Sequence, residues 1–225
     1  MNKKAIILLS GGIDSTTTLV YAINQGFECY AISFDYNQKH KIELEYAKEI
    51  ARKYKVKEHK IIKIDINNLT RTALINKETA VPKYKDIKEL PRNIPVTYVP
   101  ARNTLFLSYA LSWAESLKIT NIFVGANKDD NVGYPDCRPD FFKKFEELAN
   151  IGTSFINSKE KIRIFIPFIN STKEEVIKYG IDNKIDYTKT FTCYEPINNM
   201  PCGHCYSCII RNNAFISTKY NNKNI

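Results

Sequence analysis

The sequence predicts a doubly wound α/β domain, in which helices cover both faces of a parallel β-sheet. Short apolar runs that suit buried strands alternate with longer amphipathic segments of helical period along most of the chain. Glycine and serine cluster directly after the first apolar run. Both observations are typical of a parallel sheet whose ligands bind at the carboxyl ends of its strands.

The predicted elements follow one another in the order that such a sheet requires. Apolar and β-branched runs predict strands at residues 5–9, 27–34, 61–66, 121–125 and 162–166. Apolar residues three and four apart predict helices at residues 16–25, 40–54, 103–117 and 140–149. Gly26 is a suitable stop for the first helix. The third helix is apolar nearly all round, which predicts that it is buried.

Two further segments have signatures of their own. Ser171 and Glu174 have the spacing of a capping box, which predicts the start of another helix. Residues 67–95 contain three prolines and many polar residues, and we expect a partly helical excursion or a lid there. We predict a single domain over residues 1–225, made of an α/β core at 1–190 and a cysteine-containing segment at 191–225 that packs on it.

Composition narrows the class of protein. The 225 residues are 44% hydrophobic and 12% aromatic, which excludes a disordered chain. The longest apolar runs are too short to span a membrane, and the first is too short for a signal peptide, so we expect a cytoplasmic protein. The net charge of +9 suits a polyanionic partner, but it equally suits a lysine-rich solvated surface. Charge alone therefore decides nothing.

The loop after the first predicted strand has the chemistry of an anion-binding site. Its sequence is Ser10-Gly11-Gly12-Ile13-Asp14-Ser15, and a predicted helix follows. The glycines let backbone N–H groups approach an anion, the serines add donors, and the helix N-terminus adds positive charge. The loop is neither a Walker A loop nor a dinucleotide fingerprint. A plain tight turn between strand and helix is the alternative reading.

Four of the six cysteines crowd the end of the chain, at Cys193, Cys202, Cys205 and Cys208. Four thiolates around one ion suit a structural tetrahedral Zn²⁺ site, and disulfides are not expected in a cytoplasmic protein. A [4Fe–4S] cluster is the rival reading, because Cys-x-x-Cys-x-x-Cys is also cluster spacing. His204 is expected to be solvated, Cys29 to lie in the core, and Cys137 to be either reactive or inert.

The loop at residues 10–15, called the phosphate loop from here on, resembles the PP-loop of the N-type ATP pyrophosphatases. The resemblance implies that Ser10, Gly11, Gly12 and Ser15 hold the pyrophosphate of ATP, while Asp14 orients the loop or Mg²⁺. It also implies that the nucleotide is lined by residues 9–19, which are Leu9, Ser10, Gly11, Gly12, Ile13, Asp14, Ser15, Thr16, Thr17, Thr18 and Leu19.

Segments across nearly the whole chain resemble the 7-cyano-7-deazaguanine synthase family. The matching segments are residues 34–40, 99–103, 125–127 and 134–139, together with the four cysteines. The resemblance implies that 7-carboxy-7-deazaguanine, ammonia and ATP are the substrates and 7-cyano-7-deazaguanine the product. It also implies a zinc ion held by the cysteines, Mg²⁺ with ATP, a homodimer and no direct nucleic acid contact.

Several residues in these segments are candidates for the chemistry. Arg102 is expected to stabilise charge at the α-phosphate, or else to pair locally. Asp136 is expected to accept from the N1–H and amino group of the deazaguanine, or else to cap the helix that starts near Phe141. Tyr134 and Arg138 are candidates for binding the same substrate. Further candidates from the same region are Lys128, Asp129 and Asp130.

Two other functions fit parts of the sequence. A PP-loop enzyme that thiolates a tRNA base would fit the charge and the cysteines, but no separate RNA-binding module is visible in 225 residues. A non-catalytic ATP-binding zinc protein would bind nucleotide without turnover.

Overall fold

Five parallel strands form the centre of the fold in the computed structural model, which describes residues 3–91 and 93–218. Their order across the sheet is β3-β2-β1-β4-β5, and every neighbouring pair is parallel. The strands are β1 (Lys3–Leu8), β2 (Phe27–Asp35), β3 (Glu58–Lys63), β4 (Asn121–Phe123) and β5 (Arg163–Phe165). The predicted parallel sheet is confirmed.

Helices cover both faces of this sheet. They are α1 (Ile13–Asn24), α2 (Glu43–Lys53), α3 (Arg102–Leu117), α4 (Pro139–Ile151), α5 (Lys173–Asp182) and α6 (Tyr206–Ser217). Short 3-10 helices lie at Ile87–Glu89, Lys128–Val132, Pro135–Cys137, Ser154–Asn157 and Tyr187–Lys189. Among the residues that the structure describes, no helix is both long and apolar enough to cross a membrane.

The alternation of side chains along β1 divides the core into two layers. Ile6 and Leu8 pack in one apolar cluster with α3 and α4, whereas Ala5 and Ile7 pack in another with α1 and α2. Both layers are buried, because every β1 residue from Ala5 onward is at most 9% exposed. This two-sided burial explains why the sequence of β1 is continuously apolar from Ala5 onward.

Several boundaries differ from the predicted ones. Helix α1 begins at Ile13 rather than at residue 16, which puts Asp14 in its first turn. Strand β3 starts three residues before the predicted run, because this edge strand is partly exposed and apolar content does not mark its ends. The tail after Cys205 forms α6, for which no helix was predicted.

The capping box of α5 is shifted by one residue from the predicted pair. Thr172 Oγ1 accepts a hydrogen bond from the Glu175 N–H, and Thr172 N–H donates to Glu175 Oε2 at 2.8 Å. Ser171 instead belongs to the preceding turn, where its N–H donates to the Phe168 carbonyl. The prediction of Ser171 and Glu174 as the box was therefore wrong, although a helix does start there.

Residues 67–95 lie against the cysteine segment. In the described part of this stretch the regular helix is one 3-10 turn, Ile87–Glu89, so little of it is helical. Lys83 forms an antiparallel bridge with Cys205, and Tyr84 N–H donates to the His204 carbonyl at 2.7 Å. Of the predicted segment 191–225, residues 219–225 lie outside the described residues.

We expect Gly11→Ala to destabilise the fold more than Gly26→Ala. Both glycines have positive φ, so each substitution carries a backbone cost of about 1–2 kcal/mol. A Cβ on Gly11 would also meet the Glu43 carbonyl at 2.4 Å, whereas a Cβ on Gly26 meets nothing within 4 Å. Denaturant unfolding should show a loss of about 3 kcal/mol or more for Gly11→Ala. Equal losses in the two variants would contradict the close packing at Gly11.

Candidate active site

The phosphate loop closes on itself through its two serines. Ser10 N–H donates to Ser15 Oγ at 3.1 Å, and the two Oγ atoms are 3.0 Å apart. The N-cap residue of α1 is Gly12, and no side chain caps the helix. The first-turn N–H groups and the positive end of the helix dipole are therefore left for an anion.

Neighbouring elements press on the loop and fix its shape. A Cβ on Gly11 would collide with the Glu43 carbonyl, and one on Gly125 would lie 2.7 Å from the Ser15 nitrogen. Phe191 N–H donates to the Gly11 carbonyl at 2.9 Å. The start of α2, the end of β4 and the cysteine segment thus all meet at the loop.

A cluster of charged side chains lies beside the loop. Lys173 Nζ is 2.5 Å from Asp14 Oδ2, and Lys173 N–H donates to Asp129 Oδ2 at 2.9 Å. Asn127 donates from its side-chain nitrogen to both Asp14 and Asp130. Burial raises the pKa of Asp130 to about 6, and the Lys173 ammonium opposes that rise. Three carboxylates and one ammonium therefore face the place where phosphates would bind.

A second group of ionisable side chains lines the same cavity around Arg102. Burial disfavours the charged guanidinium, yet Tyr36, Cys137 and Asp136 nearby raise the pKa of Arg102, so it is a cation. Burial and the Arg102 charge lower the pKa of His40 to about 3, so His40 is neutral. This part of the cavity therefore offers one fixed positive charge.

Glu43 is the acid of this second group. Its side chain is 12% exposed, and burial raises its pKa from an ordinary 4.5 to about 8. The Gln38 hydrogen bond and the Arg102 charge act in the opposite direction. Gln38 Nε2 donates both to Glu43 Oε1 and to the Phe34 carbonyl, each at 3.0 Å. The carboxyl group is therefore held in place relative to the end of β2.

The predicted site residues fall at different places relative to this cavity. Its lining includes Asp14, Arg102 and Tyr134, together with loop residues Leu9, Ser10, Gly12, Ile13 and Ser15. Thr16, Thr17, Thr18 and Leu19 are instead buried within α1, where the hydroxyls of Thr16 and Thr17 donate to carbonyls one turn back. Lys128 and Arg138 are exposed, while Asp129 and Asp130 line the cavity.

Asp136 lies beneath the start of α3. Its Oδ2 accepts from the Asn103 N–H at 3.0 Å, and its carbonyl accepts from Asn103 Nδ2. The alternative that it caps the helix near Phe141 is wrong, since α4 begins at Pro139 without a side-chain cap. Asp136 fixes the backbone beside Arg102, and its role as a substrate contact stays a prediction.

The remaining cysteines are both buried. Burial raises the pKa of Cys29 to about 12, as expected for a core thiol. Burial also raises the pKa of Cys137 well above its ordinary range, and its sulfur accepts from Asn103 Nδ2. Neither thiol is a ready nucleophile, because the thiolate is the reactive form.

The four C-terminal cysteines form a compact cluster. The sulfur atoms of Cys193, Cys202, Cys205 and Cys208 all lie within 4.8 Å of one another. Sulfur atoms bound at about 2.3 Å around a tetrahedral Zn²⁺ lie about 3.8 Å apart, so the cluster fits such an ion. The N–H groups of Tyr194, Cys202 and Cys205 donate to cluster sulfurs, which favours thiolates. His204 is exposed, as predicted.

Lys173 and Glu43 were not predicted as site residues. Lys173 stands at the start of α5, some 160 residues from Asp14, and its only sequence signal was its position inside the helix-start motif. Glu43 lies in a segment predicted as an ordinary amphipathic helix. Ligands of parallel sheets bind at the carboxyl ends of the strands. This rule points to the segments after β2 and before α5, but it does not single out Glu43 and Lys173 within them.

Comparison with known proteins identifies the family. A family model described as queuosine biosynthesis protein QueC matches residues 4–219. The chain belongs to this family.

Curated relatives agree with the family match. A 7-cyano-7-deazaguanine synthase of Rickettsia canadensis is 46% identical over 214 residues, which cover 95% of this chain and 94% of the relative. The enzyme of the same name from Rickettsia rickettsii is 47% identical over 216 residues, which cover 96% of this chain and 95% of the relative. The family match over residues 4–219 includes both the phosphate loop and the cysteine cluster.

Solved structures share the fold. A "predicted subunit of tRNA methyltransferase" from Methanocaldococcus jannaschii superposes with a TM-score of 0.52 at 17% identity, covering 96% of this chain and 88% of that one. The NMN synthetase of Francisella tularensis gives a TM-score of 0.51 at 14% identity, covering 99% and 86%. At these identities the likeness concerns the fold alone.

We expect Glu43→Gln to change how stability depends on pH. Because the pKa of Glu43 rises from 4.5 to about 8 on folding, its protonation contributes stability that is full below about pH 4.5 and is lost progressively until about pH 8. Between pH 6.5 and 8.5 the free energy of unfolding of the parent should fall by about 2 kcal/mol relative to the variant. Glu49→Gln makes the same chemical change at an exposed position of the same helix and serves as the control. A pH-independent difference for Glu43→Gln would contradict the raised pKa.

Proposed function

We propose that this chain is an ATP-dependent ligase that converts 7-carboxy-7-deazaguanine and ammonia into 7-cyano-7-deazaguanine. The single observation that carries the proposal is the cavity in which an uncapped phosphate loop and the Arg102 guanidinium line the same space. The family match and the names of the relatives support this reaction. The product enters queuosine biosynthesis.

The proposed reaction needs two activations of one carbon atom. A carboxylate cannot expel oxide, so its oxygen attacks the α-phosphate of ATP and pyrophosphate leaves. Ammonia then displaces AMP to give the amide. The amide oxygen is adenylated in the same way by a second ATP, and loss of AMP and protons leaves the nitrile. A site that holds pyrophosphate and stabilises charge at the α-phosphate serves both steps.

The cavity supplies groups suited to each part. We assign Ser10, Gly12 and Ser15 to the leaving pyrophosphate, because they line the cavity at the uncapped N-terminus of α1. Arg102 is assigned to the charge that develops at the α-phosphate, since it is a cation that lines the cavity. The carboxylates that would hold Mg²⁺ brought in with ATP are Asp14, Asp129 and Asp130. Tyr134 lines the cavity and is a proposed substrate residue. Arg138 and Asp136 do not line it, and their contacts with the substrate stay predictions.

Zinc is the proposed occupant of the cysteine cluster, held by Cys193, Cys202, Cys205 and Cys208. Four thiolates leave no open position, so we assign the ion a structural role. We also propose a cytoplasmic location, which the free cysteines support, because disulfides form readily outside the cytoplasm. The homodimer and the absence of nucleic acid contacts are further proposals that rest on the family resemblance.

We expect purified protein with Mg-ATP, ammonium and 7-carboxy-7-deazaguanine to form the nitrile, with the amide appearing transiently. Mass spectrometry should detect both compounds, and nucleotide analysis should detect AMP and pyrophosphate. Formation of ADP and phosphate alone would contradict adenylation. Turnover that requires tRNA would favour the thiolating alternative.

Asp14→Asn should reduce this turnover by about a hundredfold or more, because the loop loses the carboxylate that pairs with Lys173. Asp182→Asn makes the same chemical change at an exposed position of α5 and serves as the control. Unchanged turnover in Asp14→Asn would mean that the loop is only a turn.

Metal analysis should find one zinc per chain and no labile sulfide. Cys208→Ser should lower the zinc content and the free energy of unfolding together, since a structural zinc stabilises the fold directly. Cys29→Ser provides a matched control, because Cys29 is buried but lies outside the cluster. Stoichiometric iron in place of zinc would contradict the assignment.

A further inference from the structure

Glu43 presents an unused acceptor to the cavity. It is the first residue of α2, and its side chain lines the same cavity as the phosphate loop. Glu43 Oε1 accepts a hydrogen bond from Gln38 Nε2 at 3.0 Å. The same oxygen lies 3.4 Å from Nε2 of His40, which is neutral. Within the described residues, Oε2 has no hydrogen-bond partner. A ligand in the cavity can therefore supply the missing donors.

Aromatic side chains line the same cavity as this carboxylate. Phe106 stacks on Phe34 with ring centroids 4.0 Å apart, and Tyr36 lies 5.6 Å from Phe106. The His40 ring is 6.4 Å from Tyr36, and all four rings line the cavity. Flat apolar surfaces of this kind suit a planar heterocycle, whose faces need no hydrogen bonds.

We propose that Glu43 is the residue that selects the guanine-type ring, by accepting hydrogen bonds from its N1–H and its exocyclic amino group. The proposal rests on the function proposed above and names the part of the site that reads the ring. The two ring donors point the same way from adjacent atoms, and an acceptor-only carboxylate matches both. A ring that lacks the amino group offers only one of them.

The chemistry of the buried carboxyl group supports this assignment. Burial raises the pKa of Glu43, so two N–H donors that arrive with a ligand would stabilise the ionised form that the cavity alone disfavours. Gln38 holds Oε1 in place before the ligand binds, so little ordering remains to be done.

Asp136 is the competing carboxylate for the same role. Its Oδ2 already accepts from the Asn103 N–H, and Asp136 is absent from the lining of the cavity. Glu43, in contrast, lines the cavity and has a carboxylate oxygen, Oε2, without a hydrogen-bond partner among the described residues. In addition, the Glu43 backbone packs on Gly11. The residue proposed to bind the ring is therefore in direct contact with the loop that would hold the phosphates.

The test compares two rings on three proteins. The ligands are 7-carboxy-7-deazaguanine and the same compound without its 2-amino group, and the proteins are the parent, Glu43→Gln and Asp136→Asn. Calorimetry without ATP measures the affinity for each ring, and a separate titration measures ATP. Zinc content and thermal unfolding report whether each variant is folded.

We expect the parent to prefer the 2-amino ring, and Glu43→Gln to bind that ring about ten- to a hundredfold more weakly. Its affinity for the ring without the amino group should fall less, so the preference collapses, while ATP affinity changes little. If Glu43→Gln does not fold, Glu43→Asp supplies the test. Its carboxylate is withdrawn by one methylene, and it should lose the same preference in part.

Each other outcome has a definite meaning. A parent that binds ATP but neither ring overturns the proposed function, and the role of Glu43 with it. A Glu43→Gln protein that keeps the preference overturns the role of Glu43 alone. Loss of the preference in Asp136→Asn only would transfer the role to Asp136. If Glu43→Gln keeps both ring affinities and only its KM for ammonium rises in the turnover assay described above, Glu43 is an ammonium site instead.

Discussion

The close approach of two backbones at Gly11 is the constraint on which the site depends. The first turn of α2 lies so near the phosphate loop that a single methyl group on Gly11 would overlap the Glu43 carbonyl. Gly125 has the same relation to Ser15, on the other side. The loop is thus held between α2 and the end of β4, and its shape is fixed before any ligand arrives. Such preorganisation is what a site for charged transition states requires.

The negative charges beside the phosphate loop outnumber the positive ones, so a bound ligand must bring cations to balance them. Asp14, Asp129 and Asp130 crowd a place suited to phosphates, and Lys173 offsets only part of their charge. A polyphosphate alone would meet repulsion there. A divalent ion that is shared between phosphate oxygens and these carboxylates removes it, which supports Mg²⁺ as the companion of ATP. Arg102, farther along the cavity, needs no such ion because it is already cationic.

The sequence was informative where structure is local. The strand, loop and helix around residues 10–15, the parallel sheet and the cysteine cluster each depend on residues close together in the chain or on period, and their presence agrees with the prediction. Phosphate binding by the loop stays a prediction. Contacts between segments far apart in the chain have no local sequence pattern, so the pairing of Lys173 with Asp14 was not predicted. The burial of Asp136 under Asn103 was missed for the same reason. The sequence alone does not distinguish a carboxylate that is buried against a neighbouring backbone, as Asp136 is, from one that faces the cavity.

The cysteine segment is part of the site and not an appendage. Phe191 N–H donates to the Gly11 carbonyl, and Thr192 and Tyr194, on either side of Cys193, line the cavity. The Thr192 hydroxyl is buried without a partner among the described residues, so it too is available to a ligand. Beyond Cys205, α6 adds Arg211 to the same wall. An ion bound by the four sulfurs would therefore also hold one wall of the cavity in place. Such an ion would contribute to ligand binding without touching the ligand.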